Sequence, residues 1–244
     1  IIKVKNSLRS LNNLATVTRN FSSSYIIGIT GSVGKTTLKN LISFSLRNYG
    51  KSYHSPHSYN NKFGVPVSLA NLRSNTNYGV FEIGMSKKGE INKLSKIVEP
   101  EIGIITNISE AHIENFKNLK DVAKAKSEII DNILKDGHII LNKDGKFFKL
   151  LSNKAKKKGI NVISFSSQKK ANVSLKSIKN FRNYFELKII VENEVYNFKT
   201  SYATRNFIEN FLACITTLYV LNLDLNLLKE KFVKFTLPSG RGDI

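Results

Sequence analysis

The residues best suited to chemistry lie in a glycine-rich segment that reads GITGSVGKTT and spans residues 28–37. It follows a short β-branched run, YIIGIT, and precedes a helical pattern, so it joins a strand to a helix. Its glycines let successive N–H groups point inward, and the positive end of the helix faces the same point. Lys35 would reach the β- and γ-phosphates of a nucleotide, and the Thr36 hydroxyl would bind Mg²⁺. The predicted phosphate loop comprises Thr30, Gly31, Ser32, Val33, Gly34, Lys35, Thr36 and Thr37.

An acidic residue and a histidine follow two other predicted strands. Glu82 lies in the apolar segment YGVFEIG and ends the predicted strand, where the sites of α/β proteins assemble. His112 comes shortly after the strand segment EIGIITNI. By themselves, a strand-end acid is also consistent with a helix cap or an ion pair, and a lone histidine with a structural role. From these residues alone, a structural and a functional role both stay open for Glu82 and for His112.

A lysine falls on the apolar face of a predicted helix over residues 121–134. At about 100° per residue, Lys126 lies within that face, whereas Lys124 points to the opposite side. An unpaired buried ammonium costs several kcal/mol, so Lys126 must extend to solvent, pair with an acid or be chemically modified. The apolar face is formed by Val122, Ile129, Ile130 and Ile133.

The elements that position these residues alternate between strand and helix. The segments YIIGIT, YGVFEIG, EIGIITNI and GHIILN indicate strands, with helices over 34–49, at GEINKLSKIV and over 121–134. Short apolar strands favour a parallel sheet buried on both faces. Between 171 and 200 the pattern predicts a small antiparallel β meander, followed by helices over 203–221 and 224–235. The predicted fold class is α/β, a mostly parallel sheet flanked by helices, and a further helix is predicted within residues 1–24.

Composition narrows the classes of protein. Hydrophobic residues make up 41% of the 244 residues, which fits a globular protein. No apolar run approaches the roughly 18 residues of a membrane span, so a cytoplasmic protein is expected. The single Cys214 cannot form an internal disulfide and is expected to be buried. The net charge of +20 is consistent with nucleic acid or with a phosphorylated substrate, but the lysines are scattered. The one compact basic cluster, 154–158, is expected to be a solvated helix end.

Several segments, in this order, resemble the Mur ligase family. In the phosphate loop, Gly28 and Gly31 lie six and three positions before Gly34, whereas the usual Walker pattern has a glycine five positions before it. The pattern found here, G-x-T-G-x-x-G-K-T-T, is the variant of this family and of folylpolyglutamate synthetases. The further segments are SYNNKFGVPVSL, FEIGMSKKGEI, IITNISEAHIENF and VAKAKSEII. The sequence departs from the family pattern at Ser58 and Arg205, where Asn and His are usual, and at Val33, where Asn is usual.

The resemblance implies a role for each site residue. Thr36, Glu82, His112 and Lys126 would hold two Mg²⁺ ions, with Lys126 carbamylated; Lys35, His112 and Lys126 would be catalytic. Asn60 and Asn61 would face the precursor substrate. ATP would also contact Asn206, Asn210 and Arg241, the last of these in a Gly240-Arg241 hinge.

The resemblance also implies an activity and a domain organisation. Within the family, the segments favour ligases that join D-alanyl-D-alanine to UDP-N-acetylmuramoyl tripeptide through an acyl phosphate in peptidoglycan synthesis. Residues 25–238 would be the central ATP-binding domain, 1–24 the end of an N-terminal substrate domain and its linker, and 239–244 a hinge to a C-terminal domain. We therefore expect the 244 residues, as a monomer, to bind ATP weakly and not to turn over alone.

Two alternatives remain open at this stage. The first is another ligase of the superfamily: the muramyl ligase that adds the third residue, a folylpolyglutamate synthetase or a cyanophycin-synthetase-like enzyme. The second is a basic P-loop ATPase that acts on nucleic acid, which the charge of +20 suggests. It should show a basic strip with stacking aromatic residues, and none is evident, so no nucleic-acid partner is expected.

Overall fold

The computed structural model describes residues 3–110 and 115–238, which fold around one mixed β-sheet. The described strands are β1 (Tyr25–Thr30), β2 (Ser52–His54), β3 (Tyr78–Glu82), β4 (Ile102–Ile105), β5 (His138–Asn142), β6 (Asn161–Ser166), β7 (Val173–Phe181), β8 (Tyr184–Val191) and β9 (Glu194–Thr200). They lie in the order β2-β3-β1-β4-β5-β6-β7-β8-β9. Neighbouring strands from β2 to β7 are parallel, whereas β8 is antiparallel to both β7 and β9. The predicted fold class, with its meander, is confirmed.

Helices cover both faces of the sheet. They are α1 (Ser7–Phe21), α2 (Lys35–Leu46), α3 (Gly64–Ala70), α4 (Glu90–Val98), α5 (Leu119–Lys126), α6 (Phe148–Lys157) and α7 (Arg205–Val220). Helices α2 and α7 pack on one face, and the other five pack on the opposite face. Adjacent residues of a strand point to opposite faces, so Ile26 and Ile27 are buried in different cores. This explains why the strands are apolar throughout, as the sequence predicts.

One predicted helix is shorter than expected. The helix predicted over 121–134 ends at Lys126 and continues as a 3₁₀ segment, Ser127–Asn132. The Ser127 hydroxyl donates to the Lys124 carbonyl and the Ser127 carbonyl accepts from Lys154, which favours the tighter turn.

The prediction of one helix over 224–235 was wrong. This segment consists of two 3₁₀ turns, Leu225–Leu228 and Phe232–Lys234. The Lys229 carbonyl accepts from the backbone N–H of Lys199 in β9, so it is not available to an α-helical ladder. The buried side chains of the two turns still complete the core beside α7.

The remaining predictions from the sequence agree with the structure in some places and not in others. The sequence did not predict β2, α3 or β6, and of α6 it predicted only the basic end; these elements are short or only weakly periodic. Cys214 is buried, as expected, and burial raises the pKa of its thiol to about 12. The basic cluster 154–158 includes the end of α6, where Lys154 and Lys158 pair with Asp131. No described helix has the length and apolar character needed to cross a membrane.

The helix predicted within residues 1–24 is α1, and a buried arginine fastens it to the sheet. Arg19 donates to the carbonyls of Val98 and Glu99 at the end of α4, and it pairs with Glu101 at 2.8 Å. The other carboxylate oxygen of Glu101 accepts from the N–H of Ile26 in β1, at 2.7 Å. Helix α1 is thus part of the packed structure, and the proposed domain boundaries remain a prediction.

Candidate functional site

The predicted phosphate loop joins β1 to α2 at the carboxyl edge of the sheet. Gly31 and Gly34 have φ angles of +153° and +84°, values that favour glycine. A Cβ atom on Gly31 would lie 1.8 Å from the Thr106 hydroxyl oxygen, so this position has no room for a side chain. The loop conformation therefore depends on its two glycines, as the sequence predicts.

The segment after β4 holds the phosphate loop in place. The N–H of Ser32 donates to the Asn107 carbonyl, and the N–H of Val33 donates to the Asn107 side chain, each at 3.0 Å. The Thr106 hydroxyl donates to the Val33 carbonyl at 2.7 Å, and the Ser32 hydroxyl bonds to the backbone of Ser109. Strands β1 and β4 are neighbours whose chain connections leave in opposite directions, the usual position of a ligand crevice in such sheets.

Lys35 lies at the mouth of this loop. Its ammonium donates to the Gly31 carbonyl at 2.8 Å and to the Ser32 carbonyl at 3.4 Å. The side chain thus arches back over the loop whose N–H groups would bind phosphate. A bound phosphate would offer the ammonium a charged acceptor in the same place.

Glu82 is the centre of a buried polar cluster. Its carboxylate is 1% exposed and accepts from Thr36 at 2.9 Å and from Asn60 at 2.7 Å. The ammonium of Lys39 lies 3.9 Å from the oxygen that Thr36 contacts. A carboxylate beside a threonine hydroxyl supplies the hard oxygen ligands that Mg²⁺ prefers, so this pair fits the predicted metal.

The predicted substrate residues lie beside Glu82 but also support the local fold. The main-chain carbonyl of Asn60 accepts from the N–H of Gly84, and the side chain of Asn60 donates to Glu82. The Asn61 side chain accepts from the N–H groups of Phe63 and Gly64 at the start of α3. Ser58, one of the departures from the family pattern, has its hydroxyl 3.3 Å from that of Thr36.

Lys126 is buried, as its place on the apolar face predicts. It is 2% exposed, whereas the side chain of Lys124 is 56% exposed and pairs with Asp121. Burial, and secondly repulsion from Lys35, lower the pKa of Lys126 to about 7. Near neutral pH a large share of this lysine is therefore an uncharged amine, which is the form that can react with CO₂.

The lowered pKa of Lys126 predicts a pH-dependent stability. Between about pH 7 and the ordinary lysine value of 10.5, the unfolded chain binds a proton that the folded chain does not. The free energy of unfolding should therefore rise with pH in this window, by up to about 1.4 kcal/mol per pH unit relative to Lys126→Met. Urea unfolding in CO₂-free buffer at several pH values measures the difference. Lys124→Met should follow wild type, and parallel curves for wild type and Lys126→Met would contradict the lowered pKa.

Two cavities flank the phosphate loop. One, of about 450 Å³, extends from Val33 to Asn107, Phe147 and Asn206; we call it the outer cavity. The other, of about 490 Å³, contains Lys35 and Lys126; we call it the lysine cavity. Its remaining lining includes Asn60, Asn61, Lys62, Gly84, Glu90 and Lys93. Even without Lys126, three lysines, Lys35, Lys62 and Lys93, face one glutamate, Glu90, so the lysine cavity suits a polyanion.

The predicted adenine contacts differ in their surroundings. Asn206, near the start of α7, lines the outer cavity together with Arg205, which stands where His is usual. Asn210 is buried, and a Cβ atom on Gly34 would lie 2.7 Å from its side-chain oxygen. Asn210 therefore packs against the base of the phosphate loop, and the contact of both residues with adenine remains a prediction.

Two predicted site residues lie outside the described residues: His112 and Arg241. Within 3–110 and 115–238, no group of three or more His, Cys, Asp or Glu side chains could hold a metal ion. Thr36, Glu82 and Lys126 are the described members of the predicted two-metal centre. Both ions and the carbamyl group on Lys126 remain predictions.

Sequence reasoning missed a second buried lysine. Lys39 is 1% exposed, on α2 next to Leu38 and one turn before Ile42. Its ammonium contacts the His57 carbonyl as well as Glu82. The apolar periodicity that singles out Lys126 could also have found Lys39, because it too lies among apolar helix positions. Thr106, Asn107 and Ser109, which hold the phosphate loop, carry no comparable signal.

The sequence of the chain is similar to that of a known family of ligases. The family model described as the Mur ligase middle domain matches residues 29–218. The chain belongs to the Mur ligase family. It is 32% identical over its full length to the UDP-N-acetylmuramoyl-tripeptide–D-alanyl-D-alanine ligase of Rickettsia prowazekii, and covers 55% of that protein. The ligase of the same name from Buchnera aphidicola (subsp. Acyrthosiphon pisum) is 36% identical over 178 residues, 73% of this chain and 39% of that protein.

A solved structure of a Mur ligase shares the fold. The crystal structure of MurF from Acinetobacter baumannii superposes with a TM-score of 0.91 at 26% identity, covering 98% of this chain and 52% of that one. The chain thus spans about half the length of the relatives it matches. The sheet, the meander and the phosphate loop described above are those of a Mur ligase middle domain.

Proposed function

We propose that this chain is the ATP-binding part of a peptide ligase that joins D-alanyl-D-alanine to UDP-N-acetylmuramoyl tripeptide. One observation carries the proposal: the phosphate loop lies between two cavities, and Lys35 lines the cavity that also contains Asn60, Asn61 and Lys126. A nucleotide whose base lies in the outer cavity would direct its terminal phosphate towards the lysine cavity. A carboxylate bound in the lysine cavity would then meet that phosphate.

The charges of the lysine cavity suit this reaction. ATP and a nucleotide-linked peptide acid are both polyanions, and bringing them together requires neutralisation of charge. Lys35 and the N–H groups of the phosphate loop would stabilise the charge on the transferred phosphoryl group. Asn60 and Asn61 would orient the acceptor carboxylate.

The reaction proceeds in two steps. An oxygen of the precursor carboxylate attacks the γ-phosphorus of ATP, the bond to the β–γ bridging oxygen breaks, and ADP leaves an acyl phosphate. The amine of D-alanyl-D-alanine then attacks the acyl carbon; phosphate leaves, the amine loses a proton, and an amide forms. No side-chain nucleophile is needed, so binding and charge stabilisation are the tasks of the chain's own residues. Thr36 and Glu82 would hold Mg²⁺, which would supply positive charge to offset that of the phosphates.

The names of the relatives support the choice of substrates. The Rickettsia and Buchnera proteins are both named as ligases of D-alanyl-D-alanine and the muramoyl tripeptide. The segments NNKFGVP and EIGMSKKGEI, which favoured this branch of the family in the sequence, include Asn60, Asn61 and residues 84–86 of the lysine cavity.

An assay of phosphate release with defined substrates tests the proposal. The chain is fused to the flanking regions of the Rickettsia relative and supplied with ATP, Mg²⁺ and UDP-N-acetylmuramoyl tripeptide. Release should require D-alanyl-D-alanine, and mass spectrometry should detect the pentapeptide product. The matched reactions contain L-glutamate, L-lysine or duplex DNA in place of D-alanyl-D-alanine.

Each outcome of the assay has a distinct meaning. Dependence on a single amino acid instead of the dipeptide would assign the chain to another ligase of the superfamily. ATP hydrolysis stimulated by duplex DNA, and sensitive to salt, would favour the nucleic-acid ATPase. Release that is indifferent to all acceptors would contradict the ligase proposal.

A further inference from the structure

Lys39 is a buried cation for which the proposed reaction has no use. Its side chain is 1% exposed, and it lies one helical turn beyond Lys35 and Thr36 on α2. A lysine is almost never fully buried unless its ammonium is paired, because the desolvation cost is high. Its contacts should therefore indicate what it does.

The ammonium joins two parts of the site. It contacts the main-chain carbonyl of His57, and it lies 3.9 Å from the carboxylate of Glu82. His57 belongs to residues 55–61, which we call the asparagine loop because it ends in Asn60 and Asn61. Lys39 thus bridges this loop and the strand-end acid from within the helix that follows the phosphate loop.

The backbone at His57, whose carbonyl Lys39 contacts, has an uncommon conformation. Its φ angle is +43°, in the left-handed region that residues other than glycine rarely adopt. Such a conformation persists only where the surrounding structure compensates for it. A buried ammonium that binds the carbonyl of this residue provides compensation, since a charge-assisted hydrogen bond in a low-dielectric interior is strong.

The asparagine loop makes further contacts with the site beyond His57. Beyond His57, the Ser58 hydroxyl is 3.3 Å from that of Thr36, and Asn60 donates to Glu82. The loop therefore meets the helix at two positions, Thr36 and Lys39, and meets the acid at its far end. Of the two contacts with the helix, the one at Lys39 carries a full charge.

We propose that Lys39 is a positioning residue: it fixes the asparagine loop through the His57 carbonyl and thereby holds Asn60 and Asn61 in the lysine cavity. Its effect on catalysis rests on the proposed ligase function. Its effect on the loop does not. The prediction for the enzyme is weaker capture of the precursor with nearly unchanged affinity for ATP.

Hydrogen–deuterium exchange of the chain tests the effect on the loop. In wild type the amides of Ser55 and Tyr59 donate to the Val80 and Pro56 carbonyls, so their exchange reports on the loop. Lys39→Met, which keeps the length and apolar stem, should accelerate their exchange by about tenfold or more, with β7–β9 unchanged. Ser43→Ala is the matched control, because it removes a buried polar contact between α2 and β2 further along the helix. Its loop should exchange like wild type.

A kinetic comparison tests the effect on the reaction. In the fused enzyme, Lys39→Met should raise KM for UDP-N-acetylmuramoyl tripeptide by about tenfold and change KM for ATP by less than about twofold. Lys39→Gln, which keeps an N–H donor without the charge, should recover part of the loss in both experiments. It also replaces Lys39→Met if that variant does not fold.

The outcomes separate the two proposals. Unchanged exchange in residues 55–61, or an equal increase throughout the chain, would overturn the positioning role and leave Lys39 as a core residue. A rise in KM for ATP alone would also overturn it. Faster exchange confined to the loop, in a protein whose wild type makes no amide, would support the positioning role and reject the ligase function.

Discussion

Replacing Lys126 by methionine is expected to lower the rate of ATP-dependent amide formation by about a thousandfold, while the fold is retained. The side chain is buried in the lysine cavity, where the amine or its carbamate would be next to the reacting groups. Methionine has a similar length and no charge to bury, so the variant should unfold no more easily than wild type. Product formation in the fused enzyme measures the effect.

Lys124→Met is the control for this substitution. Lys124 lies on the same helix, but its side chain is exposed and pairs only with Asp121 among the described residues. Its replacement should leave the rate unchanged. Intact-mass measurement in bicarbonate buffer adds an independent reading, since wild type and Lys124→Met should each gain one CO₂ and Lys126→Met none. Activity of Lys126→Met close to wild type would rule out a catalytic role for this lysine.

The second large effect is expected at Lys35. Lys35→Met removes the cation at the mouth of the phosphate loop, and phosphoryl transfer should slow by about a thousandfold or more. ATP should still bind, because the hydrogen bonds of Thr106 and Asn107 that hold the phosphate loop do not involve this side chain. Phosphate release and nucleotide titration together separate the two effects.

Lys93→Met provides the comparison for Lys35. Lys93 lines the same lysine cavity but lies on α4, away from the phosphate loop. Its loss should weaken attraction of the anionic precursor by less than about tenfold, and more at low salt than at high salt. Equal losses in the two variants would mean that Lys35 contributes only to the overall charge of the cavity.

The parts of the site that the sequence predicts are those with a strong local signal. The phosphate loop could be predicted because its two positive-φ positions favour glycine, and because a lysine and threonines follow at fixed offsets. Lys126 could be predicted because a helix of regular period turns it inward. The place of Glu82 could be predicted because it ends an apolar strand, and parallel strands end at the same edge of the sheet.

The rest of the site depends on contacts between distant segments. Lys39 meets a carbonyl 18 residues away, and the hydrogen bonds of Asn107 to the phosphate loop span more than 70 residues. Such partners have no fixed spacing in sequence. The end of α5 at Lys126 likewise reflects Lys154, which takes the carbonyl of Ser127 out of the helical ladder. Local periodicity cannot show a competing acceptor or donor from another element.

The continuity of the sheet from β6 into the meander has a consequence for how the chain folds. Strand β6 pairs with β7 through Phe165 and Ser166, and the core beneath α2 and α7 includes side chains of both strands. During synthesis from the N-terminus, β6 is complete before β7–β9 exist, so its outer edge would be open to other chains. The β7–β8 and β8–β9 hairpins, which close over short sequence distances, can form quickly once they emerge and cover that edge. The nascent chain is therefore most prone to aggregation before the meander is synthesised, and the folding of the meander ends that period.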